Sequence, residues 1–283
     1  MFNKRIFNMI GYVLLFLGIS MFFSAIWSYL DNSDDLVAIL YSILITSGFG
    51  VFLIFLTQLK ITKIFPYFSF KDRDKIDLSH RDGYTLVSLS WIMMSVFSAL
   101  PFYLYGGPFE SYIDSFFESI SGLTTTGASI LSTQDYSNVP RGLMFWRSFT
   151  HFIGGIGIIV FSIAILPLMG FGGVQLFRAE VAGPVADKLT PRIKQTAKLL
   201  WGIYFGLIIS ETLILVIENL SLYDALTHAF ATMATGGFST KADSIASYPS
   251  IVQYTIILFM ILAASSFSLH FLAFRKGRIE YFK

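Results

Sequence analysis

Long apolar runs separated by short polar stretches set the pattern of this sequence. A helix needs about 20 mostly apolar residues to cross the hydrocarbon of a bilayer. Runs of that length predict membrane-spanning helices at residues 9–30, 36–58, 84–105, 143–170, 199–218 and 251–274. Two further apolar segments, 112–124 and 222–233, are too short to cross and predict short helices. The pattern therefore predicts an all-α integral membrane protein.

Composition points to the same class. Of the 283 residues, 54% are hydrophobic and only 13% are charged, whereas a soluble domain carries roughly 25% charged residues. The net charge of +2 is too small to indicate nucleic acid binding, and the absence of cysteine excludes disulfides and thiolate metal sites. The first apolar run is long enough to span, so we expect a span there rather than a cleavable signal peptide.

The basic residues predict the orientation of the spans, because loops rich in Lys and Arg stay in the cytoplasm. All but three of the 20 Lys and Arg residues fall on one side, and the exceptions are Arg141, Arg147 and Lys241. We therefore expect both termini in the cytoplasm. The two short helices would then enter the membrane from the outside.

The chain repeats itself after the 110 residues that separate Ser111 from Ser221. The stretch SYIDSFFESISGLTTTGAS, residues 111–129, aligns with SLYDALTHAFATMATGGFS, residues 221–239. Each unit reads as a span, a short helix, a Thr/Gly loop and a second span. Sites in transport proteins built from repeats lie at the interface between the repeats.

Each short helix begins with a capping signal, Ser111-x-x-Asp114 in the first unit and Ser221-x-x-Asp224 in the second. The serine can cap the first turn, and the acid suits the positive end of the helix dipole. The negative end of each helix would then point towards the middle of the membrane and favour a cation there. Ordinary surface helices with routine caps are the alternative.

The loops after the short helices, residues 123–129 and 234–239, lack a base, a nucleophile partner and a metal-binding cluster. Their small residues and glycines instead allow backbone carbonyl oxygens to face one axis, because glycine permits positive φ. Rings of such carbonyl oxygens can replace the hydration shell of an ion. Threonine hydroxyls can add further oxygens. A plain Gly-rich external turn is the alternative, but two such loops in matching contexts favour an ion site.

At these loops the chain resembles the membrane subunit of the TrkH/TrkG/KtrB superfamily of potassium transporters, closest to the TrkH branch. The resemblance covers nearly the whole chain, and the first two spans look like the extra N-terminal pair of that branch. It rests on SGLTTTGAS (121–129), LFRAEVAGPVADKLTPRIKQTAKLLWGIY (176–204), ATGGFST (234–240) and SLHFLAFRKGRIEYF (268–282).

The resemblance implies potassium uptake through a carbonyl-lined selectivity filter in a bacterial cytoplasmic (inner) membrane, with K⁺ as the transported ion. It implies no enzymatic activity and no covalently bound cofactor. Gly127 and Gly237 would be the filter glycines. The carbonyls beside them that would line the ion sites belong to Thr125, Thr126, Thr235 and Gly236.

Members of this superfamily are built from four span–loop–span units around one pore, assemble as homodimers and are regulated by a cytoplasmic nucleotide-binding subunit. This chain shows two of the four units, so the resemblance implies half of a four-repeat pore with its C-terminal half missing. A truncated or split half-transporter that does not conduct alone is the alternative. The partners expected are membrane lipid, a second copy, the regulatory subunit of the Trk type and the missing half.

The repeats and the resemblance together predict five segments along the chain. They are an N-terminal pair of spans with its cytoplasmic loop (1–83), the first repeat (84–175), a cytoplasmic linker (176–198), the second repeat (199–275) and the start of a further cytoplasmic loop (276–283).

Three other ionisable residues are candidates for tuning the pore. Glu211 lies inside the fifth predicted span, where an ionisable side chain indicates function unless it faces a watery cavity or a partner. Glu118 and His228 occupy matching positions in the two short helices, where they either pack behind the filter or tune its field. The histidines show no metal-ligand spacing, and the glycines of residues 151–160 indicate close helix packing.

An intramembrane protease is the remote alternative. Its nucleophiles would be the loop serines Ser129 and Ser239, but no histidine or lysine is placed to activate them. Glu211 alone makes no pair of catalytic acids. The sequence therefore favours transport over catalysis.

Overall fold

A computed structural model describes residues 4–58, 80–165, 193–265, 267 and 270. Over these residues the chain is helical and has no strand. The helices are α1 (Lys4–Asp31), α2 (Asp35–Gln58), α3 (His80–Ser98), α4 (Leu100–Tyr105), α5 (Tyr112–Leu123), α6 (Asp135–Asn138), α7 (Arg141–Ile165), α8 (Ile193–Ile217), α9 (Leu222–Met233) and α10 (Ser250–Ala264). The predicted all-α class is confirmed.

Within the described ranges, 4 stretches are long and apolar enough to cross a membrane. They are Lys4–Asp31, Asp35–Gln58, Asp82–Tyr105 and Leu199–Ile217. These stretches coincide with the predicted spans at 9–30, 36–58, 84–105 and 199–218. The fourth predicted span coincides with α7 as far as Ile165. The sixth coincides with α10, whose 15 residues are fewer than a span needs. The rest of these two predicted spans lies mostly outside the described residues.

The third span is predicted as one helix, but the structure interrupts it at Ala99. Pro101 occupies the first turn of α4, where its missing N–H breaks no helical hydrogen bond. Gly106, with φ +78°, then ends α4. A proline that continues an apolar run thus starts a new helix without ending the apolar segment.

Contacts between Cα atoms divide the chain into two compact units, and the first comprises residues 1–120 and 139–146. In this unit α1 packs along α2. A Cβ added to Gly11 would lie 2.8 Å from the carbonyl oxygen of Gly50, and a Cβ added to Gly50 would lie 2.8 Å from the carbonyl oxygen of Gly11. The two helices pack this closely because neither glycine carries a side chain at the crossing.

The first turn of α7 also belongs to the first unit, where a buried carboxylate caps it. Asp35 Oδ2 accepts a hydrogen bond from the Leu143 N–H at 3.0 Å, and Asp35 is fully buried. A carboxylate is stabilised at a helix N-terminus by the free N–H groups and the dipole. Arg141 adds an ion pair with Asp31 at 3.1 Å.

The second unit comprises residues 121–138 and 147–283. Here α7 packs on α9 through aromatic rings: Phe230 lies 5.4 Å from Phe149 and 4.9 Å from Phe152 between ring centroids. A separate apolar cluster joins the ends of α8, α9 and α10. Its buried members are Leu215, Leu220, Ala225, Val252 and Ile256. Many apolar side chains of α8 and α10 remain exposed, as expected of a surface that contacts lipid.

Candidate functional site

The two short helices predicted from the sequence are α5 and α9, and each has 12 residues. Their predicted serine caps are confirmed. Ser111 Oγ accepts the Ile113 N–H at 3.1 Å, and Ser221 Oγ accepts the Asp224 N–H at 3.0 Å. These bonds satisfy N–H groups that the first turn of a helix leaves without a partner.

Both helices end in the same hydrogen-bond pattern. At the end of α5, the Thr125 N–H donates to the Gly122 carbonyl at 3.0 Å, and the Thr126 N–H donates to the Ser121 carbonyl at 2.9 Å. At the end of α9, the Thr235 N–H donates to the Thr232 carbonyl at 2.9 Å, and the Gly236 N–H donates to the Ala231 carbonyl at 2.9 Å. This pair of bonds is the Schellman motif, which stops a helix with one residue in the left-handed region.

The left-handed residue is a threonine in both loops. Thr125 has φ +56° and Thr235 has φ +54°, a conformation that costs an L-residue about 1–2 kcal/mol and is unusual for a β-branched side chain. Two residues further on, Gly127 at +74° and Gly237 at +85° adopt positive φ again, which glycine does without strain. Each loop therefore curls by the same alternation of backbone conformations.

The two loops meet within the second unit. A Cβ added to Gly127 would overlap the carbonyl oxygen of Gly236. No side chain could be fitted at Gly127 unless one of the two backbones moved. The structure thus places Gly127 of the first loop beside Gly236 and Gly237 of the second. The other residues predicted to form the filter, Thr125, Thr126 and Thr235, lie in the same two loops.

Helix α7 lies against the ends of both short helices. A Cβ on Gly154 would overlap the Leu123 carbonyl oxygen, and one on Gly122 would overlap the Thr150 hydroxyl. The predicted packing role of the α7 glycines is therefore confirmed at Gly154. In the second loop, the space beside Gly236 is filled by the ring of His151.

His228 of α9 links the end of the second loop to the helix by hydrogen bonds. Its Nδ1 lies 2.7 Å from the Asp224 carbonyl oxygen, which can only accept, so Nδ1 carries the proton. Nε2 then accepts the hydroxyl of Ser239 at 3.1 Å. Burial lowers the pKa of His228 and outweighs the opposing hydrogen bond to Asp224. The ring is consequently neutral near pH 7.

The polar network extends along the segment that follows the second loop. Thr240 Oγ1 donates to Asp224 Oδ1 at 2.9 Å, and the Lys241 N–H donates to Ser239 Oγ at 3.1 Å. Lys241 Nζ lies 3.9 Å from the ring centroid of Tyr248. Burial raises the pKa of Tyr248 to about 12, so its hydroxyl stays protonated beside the lysine.

Arg147 also belongs to this site, although the sequence pattern predicts for it only a place among the external basic residues. It lies on α7 with 1% of its surface exposed, and its Nη1 donates to the Ser239 carbonyl at 2.9 Å. Its position inside the predicted span 143–170 was the signal that could have identified it, because an ionisable side chain within a membrane span indicates function.

A sequence model of the TrkH family, described as cation transport protein, matches residues 48–282. The chain belongs to the TrkH family. Members of the family include the Trk system potassium uptake protein TrkH of Vibrio parahaemolyticus, which is 42% identical over 210 residues, 74% of this chain and 43% of that protein. TrkH of Escherichia coli K12 is 43% identical over 201 residues, 70% of this chain and 41% of that protein. The aligned stretches thus cover less than half the length of these relatives.

The fold matches that of a solved TrkH-family structure. The crystal structure of the potassium transporter TrkH from Vibrio parahaemolyticus superposes with a TM-score of 0.79 and 32% sequence identity. The match covers 98% of this chain and 53% of that one. The relatives are named for transport rather than catalysis.

The remaining predicted site residues are buried in different places. Glu118 lies fully buried on α5 within the first unit, and Glu211 lies fully buried on α8 in the second, near Thr232 of α9. Among the described residues, no group of three or more His, Asp or Glu side chains is placed to hold a metal ion. In this TrkH-family chain the backbone of the two loops is the best candidate for ion binding.

Proposed function

We propose that the two Thr/Gly loops form part of a potassium-selective filter and that the protein containing them takes up K⁺ across the cytoplasmic membrane. The observation that carries the proposal is the meeting of the loops at Gly127 and Gly236 with the same left-handed curl in each. Both loops follow the C-terminal end of a short helix, whose negative dipole end stabilises a cation. The relatives' names specify potassium uptake.

The filter residues divide into two roles in this proposal. The carbonyl oxygens beside the glycines replace the hydration shell of the ion. They belong to Thr125, Thr126, Thr235 and Gly236. Gly127 and Gly237 allow the positive φ that turns the carbonyls of each loop.

Two loops supply carbonyls to only part of the circumference of an ion. Partial ligation returns much less free energy than desolvation of a charge costs. We therefore propose a fold of two N-terminal spans followed by two span–pore helix–loop–span repeats, which make half of a four-repeat pore. Further loops of the same kind would complete the filter, and the chain alone would not conduct.

Potassium uptake in cells that lack their own uptake systems tests the function. The chain is expressed alone and together with the part of Vibrio parahaemolyticus TrkH that lies outside the structural match with this chain. We expect uptake only from the combination. Uptake by the purified chain in liposomes would show that copies of this chain complete the filter, and no K⁺ uptake from the combination, with both parts present in the membrane, would contradict the proposal.

The distribution of basic residues supports a topology with both termini in the cytoplasm. Reporter fusions at Asp34, Asp135 and Asp243 are expected to read outside, and fusions at Arg73 and Lys188 inside. An inside signal at Asp135 would contradict the entry of α5 from the outside.

Two protein partners belong to the proposal through the resemblance to the TrkH branch: a second copy in a homodimer and a cytoplasmic nucleotide-binding subunit of the Trk type. Glu118, Glu211 and His228 are proposed to tune the pore. Mass measurement of the detergent-purified protein, with and without such a subunit, tests the assembly.

A further inference from the structure

A buried arginine holds the chain where it leaves the second loop. Besides the hydrogen bond from Arg147 to the Ser239 carbonyl, the guanidinium carbon lies 3.6 Å from the ring centroid of Phe238. Its Nη2 is 3.3 Å from the Tyr136 hydroxyl. Burying a guanidinium is unfavourable unless hydrogen bonds and ring contacts stabilise it. Arg147 therefore fixes both the backbone at Ser239 and the ring of Phe238.

One helical turn after Arg147, His151 contacts the same loop. Residues four apart lie on one face of a helix. The His151 ring stacks on Phe238 with centroids 4.1 Å apart and planes inclined by 21°, and it fills the space beside Gly236. Two side chains of α7 thus contact the loop on both sides of Gly237.

The same helix also abuts the end of α5. Thr150 packs on Gly122 and Gly154 packs on the Leu123 carbonyl, so the same helix contacts both proposed filter loops. The helix after the second loop, α10, has the sequence SIVQYTIILFMILAA and carries no Arg, Lys or His. This support from basic side chains is therefore a feature of α7 and not of every repeat.

We propose that Arg147 and His151 are positioning residues for cation selection, acting through Phe238 and the backbone of residues 236–239. The inference rests on the proposed function of the two loops as a filter. Gly237 lies between Gly236, which His151 contacts, and Phe238, which both side chains contact. Holding the two neighbours restricts the rotation of the Gly237 peptide, which glycine alone would leave free. On the cavity-size account of filter selectivity, carbonyls held at a fixed spacing favour K⁺ over Na⁺.

Selectivity of the transporting combination, measured as K⁺ uptake in competition with Na⁺ and normalised to protein in the membrane, tests the role. R147Q and R147K are both expected to lower the preference for K⁺ about tenfold, equivalent to ~1.4 kcal/mol. Lysine keeps the charge but lacks the planar fork that donates to Ser239 while lying on a ring. R141Q is the matched control, because Arg141 lies on the same helix with 48% of its side chain exposed.

A second variant separates this role from folding. F238L keeps Arg147 and an apolar side chain but removes the ring, and it is expected to lower the K⁺ preference as well. If R147Q does not reach the membrane, R147K and F238L decide the outcome. Normal selectivity in R147K would show that a positive charge suffices and would overturn the positioning role. Absence of K⁺ uptake by the unmutated combination would instead overturn the proposed function itself.

Discussion

The two Thr/Gly loops share a backbone conformation but differ in what surrounds them. After the curl, the first loop continues through Ala128, which is exposed, and its carbonyl accepts a hydrogen bond from Ser121 Oγ at 2.6 Å. The second loop continues through Phe238 and Ser239, which are buried. Arg147 and His151 of α7 and His228 of α9 contact the second loop. Local sequence thus sets the curl of each loop, whereas side chains of α7 and α9 add contacts at the second loop.

The largest expected effect comes from adding one methyl group to the first loop. G127A places a Cβ both at a positive φ, which costs about 1–2 kcal/mol, and against the Gly236 carbonyl, which is backbone and cannot rotate away. G237A incurs only the φ cost, because nothing lies within 4 Å of its Cβ position. We expect G127A to abolish K⁺ uptake by the transporting combination and G237A to lower K⁺ preference over Na⁺ about tenfold.

G206A is the control for both substitutions. Gly206 lies on α8 with a helical φ and nothing within 4 Å of its Cβ position, and alanine is favoured over glycine in a helix. Uptake and selectivity are expected to be unchanged. Wild-type selectivity in G237A at normal protein levels would remove the second loop from the filter.

The next comparison is between Thr126 and Gly236, which occupy corresponding positions in the two repeated loops. G236A forces a Cβ into the His151 ring, whereas T126A only shortens an exposed side chain whose hydroxyl bonds to Thr124 at 2.8 Å. We expect G236A to reduce K⁺ uptake severalfold and T126A to have little effect. The loss in G236A should be smaller in an H151A background, because the two residues are in contact and their effects are not additive. Equal losses in both backgrounds would contradict the contact.

Acid is expected to weaken the second loop through His228. Its pKa is lowered by burial from an ordinary value near 6.5. The unfolded chain therefore binds a proton as pH falls below about 6.5 while the folded chain does not, and stability is lost in that range. The melting temperature in detergent should fall between pH 7.5 and 5.5, and fall less in H228Q. The same decline in both proteins would contradict this assignment.

The smallest difference concerns the helix caps. Ser221 Oγ accepts the Asp224 N–H and also donates to Asp224 Oδ2 at 2.7 Å, whereas Ser111 Oγ accepts only the Ile113 N–H among the bonds described above. S221A is expected to lower stability by about 1 kcal/mol and S111A by about half of that. Thermal unfolding in detergent compares them, and a larger loss in S111A would reverse the ranking.

Most of the helices could be predicted because apolar runs and capping signals are local. The 12-residue lengths of α5 and α9 follow from a serine at one end and a Thr/Gly loop at the other. The break at Ala99 could not be located from hydropathy, since Pro101 continues the apolar run. The left-handed threonines were also not predicted. Residue preferences favour glycine at that position of the Schellman motif, and a β-branched residue there runs against them.

The sequence by itself determined the membrane class, the repeat, the short helices and the loops whose glycines permit a curled backbone. These follow from periodicity, composition and spacing, which act over one helix or one turn. Only the tertiary structure decided that the loops meet at Gly127 and Gly236, and that α7 turns Arg147 and His151 towards the second loop. Those contacts join residues about 85 to 110 positions apart. Their partners are chosen by packing, for which a single sequence carries no local signal.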